Sequence, residues 1–204
     1  MIIVMSDADD VLFGHLRRTN EDFAHLVRSV GPEQWTARTP CPDWDVRALV
    51  SHLVQANVIY RMLLRGGSSD QFLTIREHNT LGEDPAESFR AAASECLATF
   101  AETGALDREV DYPFGPADGR KLLGLLIADT AVHTWDLARA IGAPEDLDPG
   151  LVDWVEDNFE HLYAEVAEGP LDPNSTHRHF AAPSLPATAE SDQHRMLRRM
   201  GREP

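Results

Sequence analysis

The sequence contains few cysteines and no long hydrophobic run. Its two cysteines, Cys41 and Cys96, are too few for a disulfide framework, so nothing points to an oxidising compartment. No stretch reaches the roughly 18 apolar residues that a membrane-spanning helix needs. The five apolar residues that open the chain lack the basic lead of a signal peptide. We therefore expect a cytoplasmic protein that does not associate with a membrane.

Positive charge is also scarce. The chain has 18 Lys and Arg against 34 Asp and Glu, which gives a formal net charge of -16 at pH 7. Such a surface repels phosphate backbones, and the sequence contains no cluster of Lys and Arg large enough to bind nucleic acid. The densest basic run, residues 195–202, is interpreted as solvating or pairing a terminal helix. We therefore expect no nucleic-acid partner.

The alternation of apolar residues that is typical of β-strands is nearly absent, and helical periodicity dominates. Five helices are predicted, the second of them capped by Asp43 and ending before Gly66; they cover about 7–30, 44–65, 85–100, 120–141 and 149–167. Residues 68–82 form either a short helix or an ordered loop that could cover a site. The lengths and apolar faces predict an all-α, four-helix bundle with an added helix.

The C-terminal part of the sequence has a different character. Prolines after Gly169 forbid a long helix, so residues 169–204 are predicted to form an extended strap that closes with a short helical tail over 192–200. A chain of 204 residues fits one domain. We therefore expect residues 1–204 to fold as a single domain.

Two predicted helices offer metal-ligand residue types to a common interior. His52 shares one helical face with the apolar residues Leu49 and Leu53. Asp129 and His133 are four residues apart, so they project from one face of another helix. A buried carboxylate is costly unless it is paired or bound to metal. Two imidazoles and one carboxylate leave coordination positions open, as catalytic sites do.

A plainer interpretation stays open for the same residues: Asp129 and His133 as an ion pair, and His52 as a hydrogen-bonded core histidine. Metal-ligating histidines also need an acceptor for the other ring nitrogen, and Asp136 could serve, although it could equally pair with Arg139 or solvent. Cys41 should lie about 12 Å or more from His52 along the helix. We expect Cys41 to be a packed loop cysteine. Phosphate-binding glycine loops and a serine-nucleophile elbow are absent from the sequence.

Two segments resemble a known family. Residues 39–54 (TPCPDWDVRALVSHLV) are similar to the signature of actinobacterial DinB-like proteins, which are related to mycothiol-dependent maleylpyruvate isomerase. Residues 129–140 (DTAVHTWDLARA) resemble that family's second metal motif, and residues 180–183 and 195–201 resemble its ending. The resemblance covers nearly the whole chain. It implies a DinB-like bundle that holds one divalent metal, commonly zinc or nickel.

The resemblance also implies the ligands and the chemistry. His52, Asp129 and His133 would hold the metal. The middle ligand is a glutamate in the isomerase and a histidine in many DinB proteins, so the shorter Asp129 could shift the ion or be replaced by water. The activity implied is a metal-dependent thiol transferase or isomerase that combines a mycothiol-like thiol with an electrophile. Asn57 and Arg61 are candidate polar contacts for the thiol.

Two other functions remain open from the sequence. The first is metal-assisted hydrolysis, in which the same ion lowers the pKa of bound water. The second is a bundle that binds a metal or small molecule without catalysis. For each of these functions we expect a monomer or a homodimer.

Overall fold

The computed structural model describes residues 7–76, 81–163 and 191–204. These ranges contain seven α-helices and a small antiparallel sheet of strands β1 (Glu109–Val110) and β2 (Ala117–Asp118). A 3-10 helix over Pro32–Thr36 follows the first α-helix. The helices are α1 (Asp7–Ser29), α2 (Val46–Leu64), α3 (Ser69–Arg76), α4 (Pro85–Phe100), α5 (Gly119–Ile141), α6 (Pro149–Tyr163) and α7 (Asp192–Arg199). The expected all-α class is confirmed.

Helices α1, α2, α4 and α5 form the four-helix bundle. Helix α2 packs against α4 and α5, and α1 packs against the same two helices. Helix α3 lies on α2, while α6 lies on α5 and carries α7. The apolar faces meet in two clusters, one around Trp135 and Phe100 and one around Phe23 and Phe89. Among the described helices, none combines the length and apolarity needed to cross a lipid bilayer.

The C-terminal strap can be compared with the structure only at its end. The predicted helical tail forms α7, whereas residues 169–190 of the strap lie outside the described residues. For residues 68–82, either a short helix or an ordered loop was predicted, and the structure shows the helix α3. Residues 77–80 of this segment lie outside the described residues. The added helix beside the bundle is α6.

The start of α2 differs from the prediction and affects the site. Asp45, and not Asp43, is the cap, because its carboxylate accepts a hydrogen bond from the backbone N–H of Ala48 at 2.8 Å. The preceding residues turn back on themselves, with the backbone N–H of Trp44 donating to the carbonyl of Cys41 at 3.0 Å. Helix α2 therefore begins after a tight turn that contains Cys41 and Trp44.

Helix α5 has well-defined ends. The side chain of Asp118 caps its first turn by accepting from the N–H of Lys121 at 2.8 Å. Gly142 follows its last residue in the left-handed conformation, with φ of 71°, which favours glycine. At the first residue, Gly119, the backbone passes close to Ala105, and a Cβ at this position would lie 2.0 Å from the Ala105 carbonyl oxygen.

We expect Gly119→Ala to lower the free energy of unfolding by about 1–3 kcal/mol, because the methyl group must displace backbone. Gly14→Ala is the matched control, since a Cβ at this exposed α1 position meets nothing within 4 Å. Alanine should stabilise that helix by about 0.5–1 kcal/mol. Urea denaturation measures both changes. Equal effects of the two substitutions would contradict the close approach of α5 to Ala105.

Candidate metal centre

Three side chains from α2 and α5 meet at one point in the bundle. His52 extends from α2, and its Nε2 lies 3.0 Å from Oδ2 of Asp129 on α5. His133, one turn further along α5, places its Nε2 3.4 Å from Oδ1 of the same carboxylate. The two imidazole rings are 5.0 Å apart and nearly perpendicular. The structure therefore brings together the three residues that the sequence singled out.

The donor set fits a divalent cation. The three donor atoms all lie within 4.8 Å of one another. Two ligands of a tetrahedral zinc ion, each about 2.0–2.2 Å from the metal, are about 3.3 Å apart. Nε2 of His52 lies 3.0 Å from Oδ2 of Asp129, and Nε2 of His133 lies 3.4 Å from Oδ1, so each imidazole is near that spacing from one of the two carboxylate oxygens. Imidazole nitrogen and carboxylate oxygen are also the ligands of catalytic zinc sites that keep a position open.

The orientation of His133 is set by Asp136. Nδ1 of His133 lies 2.9 Å from Oδ2 of Asp136, which is fully buried. Because an ionised carboxylate only accepts hydrogen bonds, Nδ1 is the donor and carries a proton. Nε2 is thereby directed at Asp129. Of the partners considered for Asp136, Arg139 is excluded, since it pairs with Glu145 at 3.4 Å.

Arg202 holds Asp136 in turn. Its Nε donates to Oδ1 of Asp136 at 2.9 Å, and its Nη2 donates to Oδ2 at 2.7 Å. This bidentate contact is the strong form of an arginine–carboxylate pair. A chain of contacts thus runs from Arg202, which follows α7, through Asp136 to the imidazole of His133.

The charges at the site are strongly coupled. Burial opposes ionisation of Asp129, but the neighbouring imidazoles of His52 and His133 outweigh it and hold its pKa well below the ordinary value. Burial also opposes protonation of His133, yet Asp129 and Asp136 raise its pKa well above the ordinary value. For His52 burial prevails, and its pKa is lowered. The ion pair of the plainer interpretation and the metal site therefore use the same atoms.

Trp44 covers both histidines. The centroid of its ring lies 4.6 Å from that of His52 and 5.5 Å from that of His133. Trp44 occupies this place because the turn before α2 folds the chain back over the start of the helix. The indole ring thus packs against both imidazoles, of which His133 is buried and His52 is partly exposed.

The three candidate ligands lie in the wall of a cavity of about 300 Å³. The wall combines apolar groups, aromatic rings and two guanidinium groups; besides the ligands, it includes Cys41, Trp44, Gln55, Ile59, Tyr60, Phe72, Arg76, Tyr112, Leu125, Tyr163 and Arg202. Helix α3 lies in the segment predicted to be either a short helix or an ordered loop that could cover a site, and it contributes Phe72 and Arg76.

Asn57 and Arg61 are not among the residues that line this cavity. Asn57 is fully buried, and its amide nitrogen donates to the carbonyl of Leu53 at 2.8 Å. Arg61 pairs with Glu95 of α4. At 100° per residue, these side chains are turned by about 140° and about 180° from His52 on α2. Their position does not favour the predicted contact with a thiol in the cavity.

Cys41 lies in the loop before α2, as expected, but it also lines the cavity. Its Sγ lies 3.3 Å from Oδ2 of Asp136 and accepts from Nη2 of Arg202 at 3.3 Å. Helical rise alone did not indicate these contacts, because α2 begins only at Val46 and the turn before it brings Cys41 to the cavity wall.

Arg202 also corrects the interpretation of the basic C-terminal run. Arg195 and Arg199 pair with Glu156 and Glu160 of α6, as expected for a helix with a solvated face. Arg202, by contrast, is only 6% exposed and lines the cavity. No spacing rule connects it to Asp136, which lies 66 residues earlier. The sequence offered one indication: the two carboxylates on the interior face of α5, Asp129 and Asp136, need positively charged partners.

Comparison with known proteins identifies similar sequences. Residues 16–138 match the family model described as the mycothiol maleylpyruvate isomerase N-terminal domain. Two uncharacterized Mycobacterium tuberculosis proteins, MT0763 of strain CDC 1551 / Oshkosh and Rv0738 of strain H37Rv, are each 31% identical over 142 residues. That alignment covers 70% of this chain and 73% of each relative. The span matched by the family model contains all three candidate ligands and Asp136.

Replacing Arg202 with methionine should lower the free energy of unfolding by about 3 kcal/mol, because it removes one partner of a buried ion pair. Arg195→Met is the matched control from the same segment, and its partly exposed pair with Glu156 should be worth less than about 1 kcal/mol. Asp136→Asn combined with Arg202→Met should recover part of the loss. Denaturant unfolding of the variants measures these differences. A small, equal loss for both arginines would contradict the role assigned to Arg202.

Proposed function

Because the chain belongs to the mycothiol maleylpyruvate isomerase N-terminal domain family, we propose that it is a metal-dependent enzyme that uses a low-molecular-weight thiol, such as mycothiol, for transfer or isomerisation. One observation carries the proposal: the donor atoms of His52, Asp129 and His133 converge in the wall of a single cavity. The resemblance favours zinc or nickel as the ion. The second substrate is an electrophile.

The three candidate ligands suit this chemistry. A divalent cation held by them would favour a thiolate over a thiol and so supply a nucleophile at neutral pH. The low pKa of Asp129 keeps its oxygens unprotonated. The lowered pKa of His52 favours the neutral imidazole, which is the form that ligates a metal ion. The hydrogen bond from Nδ1 of His133 to Asp136 leaves Nε2 of His133 to face the cavity.

The cavity supports a small-molecule reaction. Its volume of about 300 Å³ is at the lower end of the range for small-molecule sites. Apolar residues such as Ile59 and Leu125 exclude bulk water, while Cys41 and Arg202 add polar atoms beside His133. A space of this size suits the reactive end of a thiol together with a small electrophile.

The metal site can be tested on protein purified without a histidine tag and reconstituted with zinc. We expect one metal ion per chain by mass spectrometry. His52→Ala and Asp129→Ala should each weaken zinc binding by more than about 100-fold, because removing a ligand costs more than removing its hydrogen-bond partner. His25→Ala, an exposed histidine of α1, is the control and should bind zinc normally. Failure of the parent protein to bind zinc stoichiometrically would exclude the metal-dependent proposal.

The thiol reaction can be tested with the zinc-loaded protein. We expect it to consume mycothiol in the presence of reactive electrophiles, and His52→Ala to reduce the rate to the uncatalysed level. The rate is followed by the loss of free thiol, with His25→Ala as the control. Ester hydrolysis that is independent of added thiol would instead favour the metal-assisted hydrolase. Thermal stabilisation by mycothiol without turnover would favour a binding role.

A further inference from the structure

The guanidinium of Arg76 is a charged group in the cavity wall that the proposed reaction does not use. Arg76 is the last residue of α3, and it is half-buried. Within the part of the chain that the structure describes, it forms no salt bridge. Its Cζ lies 5.8 Å above the ring of Phe114, a contact that supports the group without neutralising it.

Among the residues that the structure describes, the other charged groups in the cavity wall, Asp43, Asp129 and Arg202, form no salt bridge with Arg76. Arg202, the second arginine in the wall, is already paired with Asp136. Asp129 acts on Arg76 only at longer range, and its two oxygens are engaged by His52 and His133. A half-buried cation of this kind is costly to keep in place, and an anion that enters the cavity would compensate for it.

The surroundings of Arg76 are also suited to bind an anion. Burial raises the pKa of the phenols of Tyr60 and Tyr112 above the ordinary value, so both remain neutral hydroxyl groups near Arg76 and do not compete as anions. The rings of Phe72, Tyr112 and Phe114 meet edge to face at 5.2–5.9 Å and form an apolar surface beside the guanidinium.

We propose that Arg76 is the anion-binding residue of the cavity and that it selects a small carboxylic acid with a flat apolar body as the electrophilic substrate. The planar guanidinium fork matches the two oxygens of a carboxylate. The neighbouring rings would contact the apolar body of the acid. This inference rests on the proposed function for the role of the acid as a substrate, whereas the binding of the acid can be tested without any reaction.

Benzoate is a suitable probe, with benzyl alcohol as the uncharged analogue. In protein freed of metal by chelation, we expect benzoate to bind at least about tenfold more tightly than benzyl alcohol, because only benzoate can form charge-assisted hydrogen bonds with Arg76. Arg76→Met should remove this preference, and Arg76→Lys should keep part of it. Arg65→Met, which removes an exposed arginine, is the matched control and should leave it unchanged. Calorimetric titration measures the affinities.

Three results would overturn the proposal. The first is equal binding of benzoate and benzyl alcohol by the parent protein, a comparison that does not depend on how any variant folds. The second is a preference for benzoate that survives in Arg76→Met. The third is benzoate binding only after zinc has been added, which would assign the carboxylate to the metal. Because the main comparison is made without metal or thiol, failure of the thiol reaction would leave its result intact.

Discussion

A carboxylate inside a helical bundle must be matched by positive charge or by a metal ion, and most of the described site follows from how Asp129 meets that requirement. Its two oxygens face the imidazoles of His52 and His133 at 3.0 and 3.4 Å. His133 in turn needs an acceptor for its other nitrogen, which brings a second carboxylate, Asp136, into the interior. That carboxylate requires a guanidinium, which Arg202 supplies from beyond α7. Each of these interior charged groups thus needs a partner of opposite charge, and the partners form one connected series from Asp129 to Arg202.

This sequence of contacts ties distant parts of the chain to one cavity. The turn before α2 contributes Trp44 and Cys41, α3 contributes Arg76, and the C-terminal segment contributes Arg202. The bundle helices α2 and α5 carry the candidate ligands and part of the apolar wall, and the shorter segments add Cys41, Trp44, Arg76 and Arg202. In the proposed function, the ligands govern the reactivity of the thiol and the shorter segments select the electrophile.

Helical spacing and the pattern of apolar residues predicted the site residues that lie on long helices. The four-residue spacing of Asp129 and His133, and the apolar face around His52, were sufficient to predict that the three would meet. Asp136 was one candidate partner of His133 from its place one turn further along, and the sequence alone left Arg139 and solvent open as its partners. The same rules missed Cys41 and Arg202, because their positions depend on a turn and on a terminal segment that returns from 66 residues away. Asn57 and Arg61 were chosen by nearness along α2, although the helical twist turns them away from His52.

We propose that His52, Asp129 and His133 together bind one metal ion whose open position accepts a thiol. X-ray absorption spectroscopy of the zinc-reconstituted protein, before and after addition of mycothiol, tests this binding mode. We expect two imidazole nitrogens and oxygen around zinc at first, with no sulfur, and then one sulfur at about 2.3 Å once the thiol is present. A zinc environment without imidazole, or with sulfur from Cys41 before any thiol is added, would contradict it.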